Sequence, residues 1–261
     1  MELYIDGAQN VRDLGGIRCG DKTLKMGRVI RSSHIGYLTN KGEKQLLENN
    51  LRMVVDFRSD PEILSSPDRI IKGVKYEKCP ILKSLTVGLS RDGKKQTVEE
   101  QVINIVTTLG VGVRDWLARL YEPLVTDEFS VNGYRRFFDL LKENKQGALL
   151  YHCAAGKDRV GTGTVLFLMA LGASYEDIIN DYMLTNKSTE ESTKRAIAKA
   201  REMGLDEALV DCIPFVNGVI PEYIQVVFEV IEGKGGIEKY LLECMKIDES
   251  YLKELRDNYL E

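Results

Sequence analysis

The segment His152-Cys153-Ala154-Ala155-Gly156-Lys157-Asp158-Arg159-Val160-Gly161 gathers more reactive groups than any other stretch of the chain. A cysteine ends an apolar run, and an arginine follows six positions later at the start of a second apolar run. A short loop that opens a helix can turn successive backbone N–H groups inward and cradle an anion. Gly156 can take the positive φ that such a turn needs. Ala154 and Ala155 leave room for an oxyanion against the backbone. Arg159 offers a planar fork that binds two phosphate oxygens at once. The same charges and N–H groups favour the thiolate of Cys153. A thiolate at the base of a phosphate cradle is placed for in-line attack on phosphorus. A lone cysteine is more simply a buried core thiol. Here the neighbouring His152, Gly156, Lys157, Asp158 and Gly161 favour the catalytic reading. A nucleotide P-loop is excluded, because Gly156-Lys157 is followed by Asp158 and position 151 is Tyr.

The flanking pattern says what must hold this loop. Ala148 to Cys153 reads as a buried strand, and the apolar run Thr164 to Ala173 as a buried helix too short to span a bilayer. Leu51 to Phe57 and Gly73 to Pro80 read as further strands, with an amphipathic helix over Gly42 to Asn49. Strands separated by helices imply an α/β fold: a central, mostly parallel sheet flanked by helices. Residues 83–130 fit the sheet pattern poorly. They read as a helical insertion, either a lid or a plain surface excursion, with helices over Val98 to Thr107 and Arg114 to Leu124 and an exposed loop at Ser90 to Lys95. Trp116 and Tyr121, at helical spacing, read as packing residues of this insertion. Ser174 and Ser188 each precede an acid three residues on, which predicts separate helices over Tyr175 to Leu184 and Thr189 to Met203. Pro221 to Glu232 and Asp248 to Leu260 complete a helical C-terminal part. No linker interrupts the pattern, so residues 1–261 read as one domain.

Composition narrows the partners. Lys plus Arg is 36 and Asp plus Glu is 40, so the net charge is 36 − 40 = −4. That balance argues against nucleic acid as partner, though not against a local basic pocket. The five cysteines are scattered and form no C-x-x-C pair, so neither a disulfide framework nor a zinc site is expected. Reduced thiols fit the cytoplasm. The first ten residues carry no signal-peptide pattern, and no transmembrane segment is expected. Secretion by another route stays open.

These residues resemble a known family. His152 to Gly161 is similar to the signature loop of the cysteine-dependent protein tyrosine phosphatases, in the Gly-Lys-Asp-Arg version of a bacterial and fungal branch. Asn10-Val11-Arg12-Asp13-Leu14-Gly15-Gly16, Gly27-Arg28-Val29-Ile30-Arg31-Ser32-Ser33 and Asp56-Phe57-Arg58-Ser59-x-x-Glu62 resemble further motifs of that branch. Asp181 to Asn186 and Gly218 to Tyr223 are weaker matches. The resemblance implies the phosphatase fold, and it assigns roles. Cys153 would be the nucleophile and carry a phosphocysteine intermediate. Arg159 would bind the phosphoryl group, with the backbone of Ala154, Ala155, Gly156, Lys157, Val160 and Gly161 around the substrate. Lys157 would add charge at the pocket mouth, which suits polyanionic substrates. His152 would orient the loop. Arg12, Asp13 and Arg31 would support it through salt bridges. His34 reads as an ordinary histidine rather than a base.

A leaving oxygen needs a proton donor. Asp158 is the first candidate, against a structural role as acceptor of loop N–H groups. Asp56 is the second, though anchoring of Arg58 is its simpler account. Val160 stands where the family usually has Ser or Thr, so either the hydrolysis half-reaction is slower or Thr162 substitutes for that hydroxyl. Expected substrates are phosphotyrosine proteins, with phosphoserine and phosphothreonine as further possibilities. Phosphoinositides, acted on within this branch, are the alternative, and a non-catalytic phospho-ligand module is a third reading. The mechanism calls for no metal and no cofactor.

Overall fold

The structure is a computed structural model that describes residues 1–84 and 97–261. The expected loop at Ser90 to Lys95 lies outside the described residues. In chain order the strands are β1 (Arg12–Asp13), β2 (Arg18–Cys19), β3 (Lys22–Thr23), β4 (Val29–Ser32), β5 (Leu51–Asp56), β6 (Lys75–Lys78) and β7 (Ala148–His152). The helices are α1 (Asn40–Glu48), α2 (Asp60–Ser65), α3 (Val98–Leu109), α4 (Val113–Arg119), α5 (Tyr121–Thr126), α6 (Glu128–Glu143), α7 (Asp158–Leu171), α8 (Tyr175–Glu202), α9 (Glu207–Val210), α10 (Ile213–Asn217), α11 (Pro221–Gly233), α12 (Ile237–Met245) and α13 (Glu249–Tyr259).

One sheet runs in the order β1-β4-β7-β5-β6. Its four longer strands are parallel, and only β1 pairs antiparallel. Both faces are covered at the centre of the sheet, so β5 and β7 are mostly apolar, whereas the edge strand β6 is polar and unburied. Val29, Met53, Val55, Leu149 and Tyr151 face the larger core with α6, α7 and the C-terminal helices. Ile30, Val54, Ala148 and Leu150 face a smaller core with Leu46 of α1. This alternation is the period of two that a pleated strand imposes. The expected mostly parallel α/β architecture is thus present.

The register sets up the site. Ser32, His152 and Asp56 lie side by side at the C-terminal ends of β4, β7 and β5. Crevices at the carboxyl ends of parallel strands are where open α/β sheets bind ligands. The chain leaving β7, the central strand, makes the turn into α7 there.

Some elements differ from expectation. The helix expected over Arg114 to Leu124 is two, α4 and α5, with a break at Leu120. Pro123 has no N–H to donate to the Arg119 carbonyl, so one continuous helix would lose that bond. The two helices expected over Tyr175 to Met203 are a single helix, α8, of 28 residues. The Ser188 capping signal is overridden by tertiary contacts. Asn186 bonds the backbone of Val219 in both directions, and the Asn217 amide donates to the Ser192 and Thr193 hydroxyls. Residues 97–126 pack inward rather than standing off as an excursion. Val102, Val106, Leu117, Tyr121 and Leu124 belong to the larger core, with α3 against α8 and α5 against α11. Among the described residues no helix is long and apolar enough to cross a membrane.

Candidate active site

The loop from His152 to Asp158 is held from three sides. Gly156 has φ +69, and a Cβ there would stand 2.4 Å from the Ser32 carbonyl oxygen. Only glycine fits that approach. From the N-terminal segment, the Asn10 amide donates to the carbonyls of Ala155 (3.2 Å) and Gly156 (2.9 Å). Asn10 itself is left-handed, at φ +53, a conformation asparagine tolerates better than most residues. From β4, the Arg31 guanidinium donates to the Gly156 carbonyl at 3.0 Å. With its carbonyls bound outside, the loop keeps its remaining N–H groups for an anion.

Cys153 follows the last residue of β7 and is buried, at 2% exposure. Arg159, in the first turn of α7, is fully buried, and its guanidinium is fixed by both carboxylate oxygens of Glu62, each at 2.8 Å. Burial works against the Arg159 charge, but the Cys153 sulfur and Glu62 outweigh it and raise the guanidinium pKa. For Glu62, burial favours the neutral acid, but its bonds to Arg159 prevail and the pKa falls. Glu62 also accepts from the Ser59 N–H and hydroxyl, which closes the capping box of α2. So the helix cap and the arginine clamp share one carboxylate.

A second layer lies behind Arg31. Asp181 on α8 bridges Arg12 (2.7 Å) and Arg31 (2.5 Å). Burial alone would raise its pKa, but the two guanidinium groups bring it down. Arg12 also donates to the Asn10 side chain at 2.6 Å. Arg12 and Arg31 thus share one buried carboxylate, that of Asp181. Asp13 stands apart, since its carboxylate accepts from the N–H groups of Gly15 and Gly27 and pins a turn.

On the other side, Arg58 makes three side-chain bonds to Asp56 and an ion pair with Asp68 at 3.0 Å. The His152 ring lies 2.9 Å from Asp68. Burial opposes the charge on both, but Asp56 and then Asp68 raise the His152 pKa, against Arg58, while His152 and Arg58 lower that of Asp68 to about 2. His152, Asp56 and Asp68 cluster closely enough to suggest a metal, but Arg58 already supplies the cation among them. His152 thus sits in an orienting position, and Asp56 anchors Arg58.

Several expectations are corrected. Lys157 is not at the pocket mouth: it is 3% exposed and its ammonium donates to the carbonyls of Val216 and Gly218. Val160 and Gly161 are helical residues of α7. Val160 is buried in the core, and Gly161 lies under the Tyr182 ring, so neither is placed to touch substrate. Thr162 is fully buried in the same helix. Asp158 does not cap the loop N–H groups; its Oδ1 accepts from the Tyr121 hydroxyl at 2.5 Å. Tyr121 is thus more than a packing residue. Trp116 does pack against the core. Glu62, Asn10, Asp181 and Tyr182 stood in motifs without assigned roles, whereas Asp68 carried no signal at all.

A cavity of about 440 Å³ adjoins the loop, with Ala154 and Ala155 in its wall. Ser33, His34, Tyr37, Ser192 and Asn217 line it as well. Among the described residues this wall offers hydroxyls, amides and rings but no lysine, arginine or carboxylate.

The chain is similar in sequence to known proteins. A family model described as "Tyrosine phosphatase family" matches residues 3–261. A Cupriavidus necator protein named as a candidate tyrosine-protein phosphatase is 27% identical, with 99% of this chain and 88% of that protein covered. The triple specificity protein phosphatase PtpB of Mycobacterium tuberculosis is 24% identical, with 92% of each chain covered. A tyrosine-protein phosphatase of Nostoc commune is 22% identical over 70% of this chain and 56% of its own. With its whole described fold built around a loop of this kind, the chain belongs to the tyrosine phosphatase family.

Proposed function

We propose that the chain hydrolyses phosphotyrosine through a phosphocysteine intermediate on Cys153. The observation that carries this is the placement of Cys153 at the end of the central strand, with Arg159 clamped by Glu62 at the start of the next helix. Phosphate enters the loop with its oxygens on the backbone N–H groups and on Arg159. The Cys153 sulfur attacks phosphorus in line, the bond to the leaving oxygen breaks, and a carboxylic acid protonates that oxygen. Water then attacks the phosphocysteine, gives its proton back to the carboxylate and releases phosphate.

We read Asp158 as the donor. Close guanidinium or imidazole partners lower the pKa of Glu62, Asp68 and Asp181, and Asp56 is paired with Arg58. Asp158 instead has a neutral phenol as its close partner, and Lys157 lies 3.8 Å away. A guanidinium or imidazolium partner favours the ionised carboxylate by its charge, whereas the Tyr121 phenol brings no charge of its own.

The burial of Lys157 removes the main support for a polyphosphorylated substrate, and the described part of the neighbouring cavity wall, without lysine, arginine or carboxylate, suits an aryl phosphate in a peptide. Phosphoserine and phosphothreonine are read as slower substrates, and inositol lipids as the competing class. Two experiments test this. Rapid quench with an aryl phosphate should trap phosphate on Cys153; Cys153→Ser should bind phosphate without turnover, and retained turnover would overturn the cysteine mechanism. Competition between a phosphotyrosine peptide and an inositol phospholipid should favour the peptide, and dominant lipid turnover would reverse the substrate order.

A further inference from the structure

We propose that Tyr121 and Tyr182 form a hydroxyl relay that positions Asp158 for proton donation. The inference rests on the phosphatase reading above and extends it to two residues outside the loop. Tyr121 comes from α5, in the segment 83–130, and Tyr182 from α8. Their hydroxyls lie 2.7 Å apart, and that of Tyr121 lies 2.5 Å from Asp158 Oδ1. All three side chains are buried.

The direction of the bonds follows from the groups. Burial and the nearby Asp158 charge push both phenol pKa values well above 10, so each phenol keeps its proton. An ionised carboxylate can only accept, so Tyr121 donates to Asp158, and Tyr182 can then donate to the Tyr121 oxygen. Each donation polarises the next, which strengthens the bond at the carboxylate.

The surroundings fix the relay. The Tyr223 ring stacks on Tyr121 with centroids 5.8 Å apart. A Cβ on Gly161 would stand 2.9 Å from the Tyr182 ring, so the second glycine of the signature segment makes room for that ring. Tyr182 also follows Asp181, so two adjacent residues of α8 serve the loop: one reaches Gly156 through Arg31, the other reaches Asp158 through Tyr121.

The chemistry balances. In the first step the Asp158 O–H bond breaks and the proton joins the leaving oxygen, while the sulfur–phosphorus bond forms and the bond from phosphorus to that oxygen breaks. The carboxylate left behind gains its negative charge with the Tyr121 donor already aimed at Oδ1. The other carboxyl oxygen carries the proton. When water attacks the phosphocysteine, its proton returns to that same oxygen. The phenols lose no proton in either step, so Tyr121 and Tyr182 are positioning residues.

The test is a series of aryl phosphates whose phenols range from acidic to weakly acidic, run with wild type, Tyr121→Phe, Tyr182→Phe, Asp158→Asn and the Tyr121→Phe/Asp158→Asn double variant. Tyr121→Phe should lose about tenfold or more in kcat/KM on the poorest leaving group, the size of one hydrogen bond to a charged group, and little on the best. The double variant should match Asp158→Asn alone. An equal loss across all leaving groups, or a double variant tenfold below Asp158→Asn, would overturn the relay. As a readout without turnover, proton NMR of the wild type should show a downfield phenol resonance that disappears in both Tyr121→Phe and Asp158→Asn. Its persistence in Asp158→Asn would also count against the relay. Absence of wild-type turnover, or turnover by Cys153→Ser, would instead refute the phosphatase reading.

Discussion

Glu62→Gln is the most informative single change, because one carboxylate holds both the α2 cap and the Arg159 fork. Glutamine keeps the shape of glutamate. It replaces one acceptor oxygen with an N–H donor group and removes the charge. Facing Arg159, one of the two 2.8 Å bonds becomes a donor against a donor, and a fully buried guanidinium loses its counter-charge. Breaking a buried ion pair from one side costs about 3–5 kcal/mol. The retained amide oxygen keeps one bond, which sets the expectation at the lower end, about 3 kcal/mol. For 261 residues at about 2.1 cal/mol/K each, the unfolding entropy is about 0.55 kcal/mol/K, so the midpoint should fall by roughly 5 °C. Activity should suffer more than stability, since a mis-aimed fork no longer meets the transition state. We expect kcat on an aryl phosphate to fall at least a hundredfold, while Glu62→Asp, which keeps the charge on a shorter stem, falls less. The assay pairs calorimetric melting with steady-state kinetics on one preparation. A Glu62→Gln protein that melts within a degree of wild type and keeps its kcat would show that the clamp neither stabilises Arg159 nor aims it.

Further outcomes follow from the same geometry. Lys157→Met should lower stability by about 1–3 kcal/mol through the unsatisfied carbonyls of Val216 and Gly218. It should change KM for singly and doubly phosphorylated substrates by the same factor, and a selective loss on the doubly charged one would restore Lys157 to the pocket mouth. Gly161→Ala should press on the Tyr182 ring and cost about 1–3 kcal/mol; a structure of that variant with the 2.7 Å phenol contact unchanged would refute the steric account. The Asp68 pKa is depressed to about 2, so its stabilisation is fully present above the unfolded value near 3.8 and is lost as pH falls toward 2. His152, with a raised pKa, contributes most at low pH and loses its contribution as pH rises through that raised value. Melting against pH should therefore show an acid limb that Asp68→Asn flattens, and an unchanged limb in that variant would exclude the pair.

What could be read from the sequence depended on how local each interaction is. Loop geometry is local: Cys153, Gly156 and Arg159 fall within seven residues, and their types alone imply an anion cradle. Strand β7 and helix α7 were legible because both are buried on all sides and therefore apolar in sequence. The counter-charges were not legible in that way. Arg159 meets Glu62 across 97 positions and Arg31 meets Asp181 across 150, distances at which no spacing rule operates. Lys157 failed for the opposite reason. A lysine in a loop beside an anion site is read as exposed by default, and only the fold brings the carbonyls of Val216 and Gly218 around its ammonium. The Ser188 capping signal was real as a local preference. It lost to side-chain bonds from Asn217 and Asn186, which belong to different parts of the chain.

The same contrast explains why the carboxylates around the loop have such different parts to play. Five of them, Asp56, Glu62, Asp68, Asp158 and Asp181, are buried or nearly so, and a buried charge persists only with a partner. Four have cations as close partners, and three of those cations bear on the loop: Arg159 and His152 at its two ends, and Arg31 through the Gly156 carbonyl. Paired with cations, these four hold the surroundings of the loop in place. The fifth, Asp158, sits at the one place where the fold supplies two tyrosines. A phenol satisfies the carboxyl group whether it is ionised or not, because it donates to an oxygen that is an acceptor in both states. That is the property a carboxyl group needs if it is to give up a proton and take it back within one catalytic cycle, and it gives α5 a chemical reason to pack against α7.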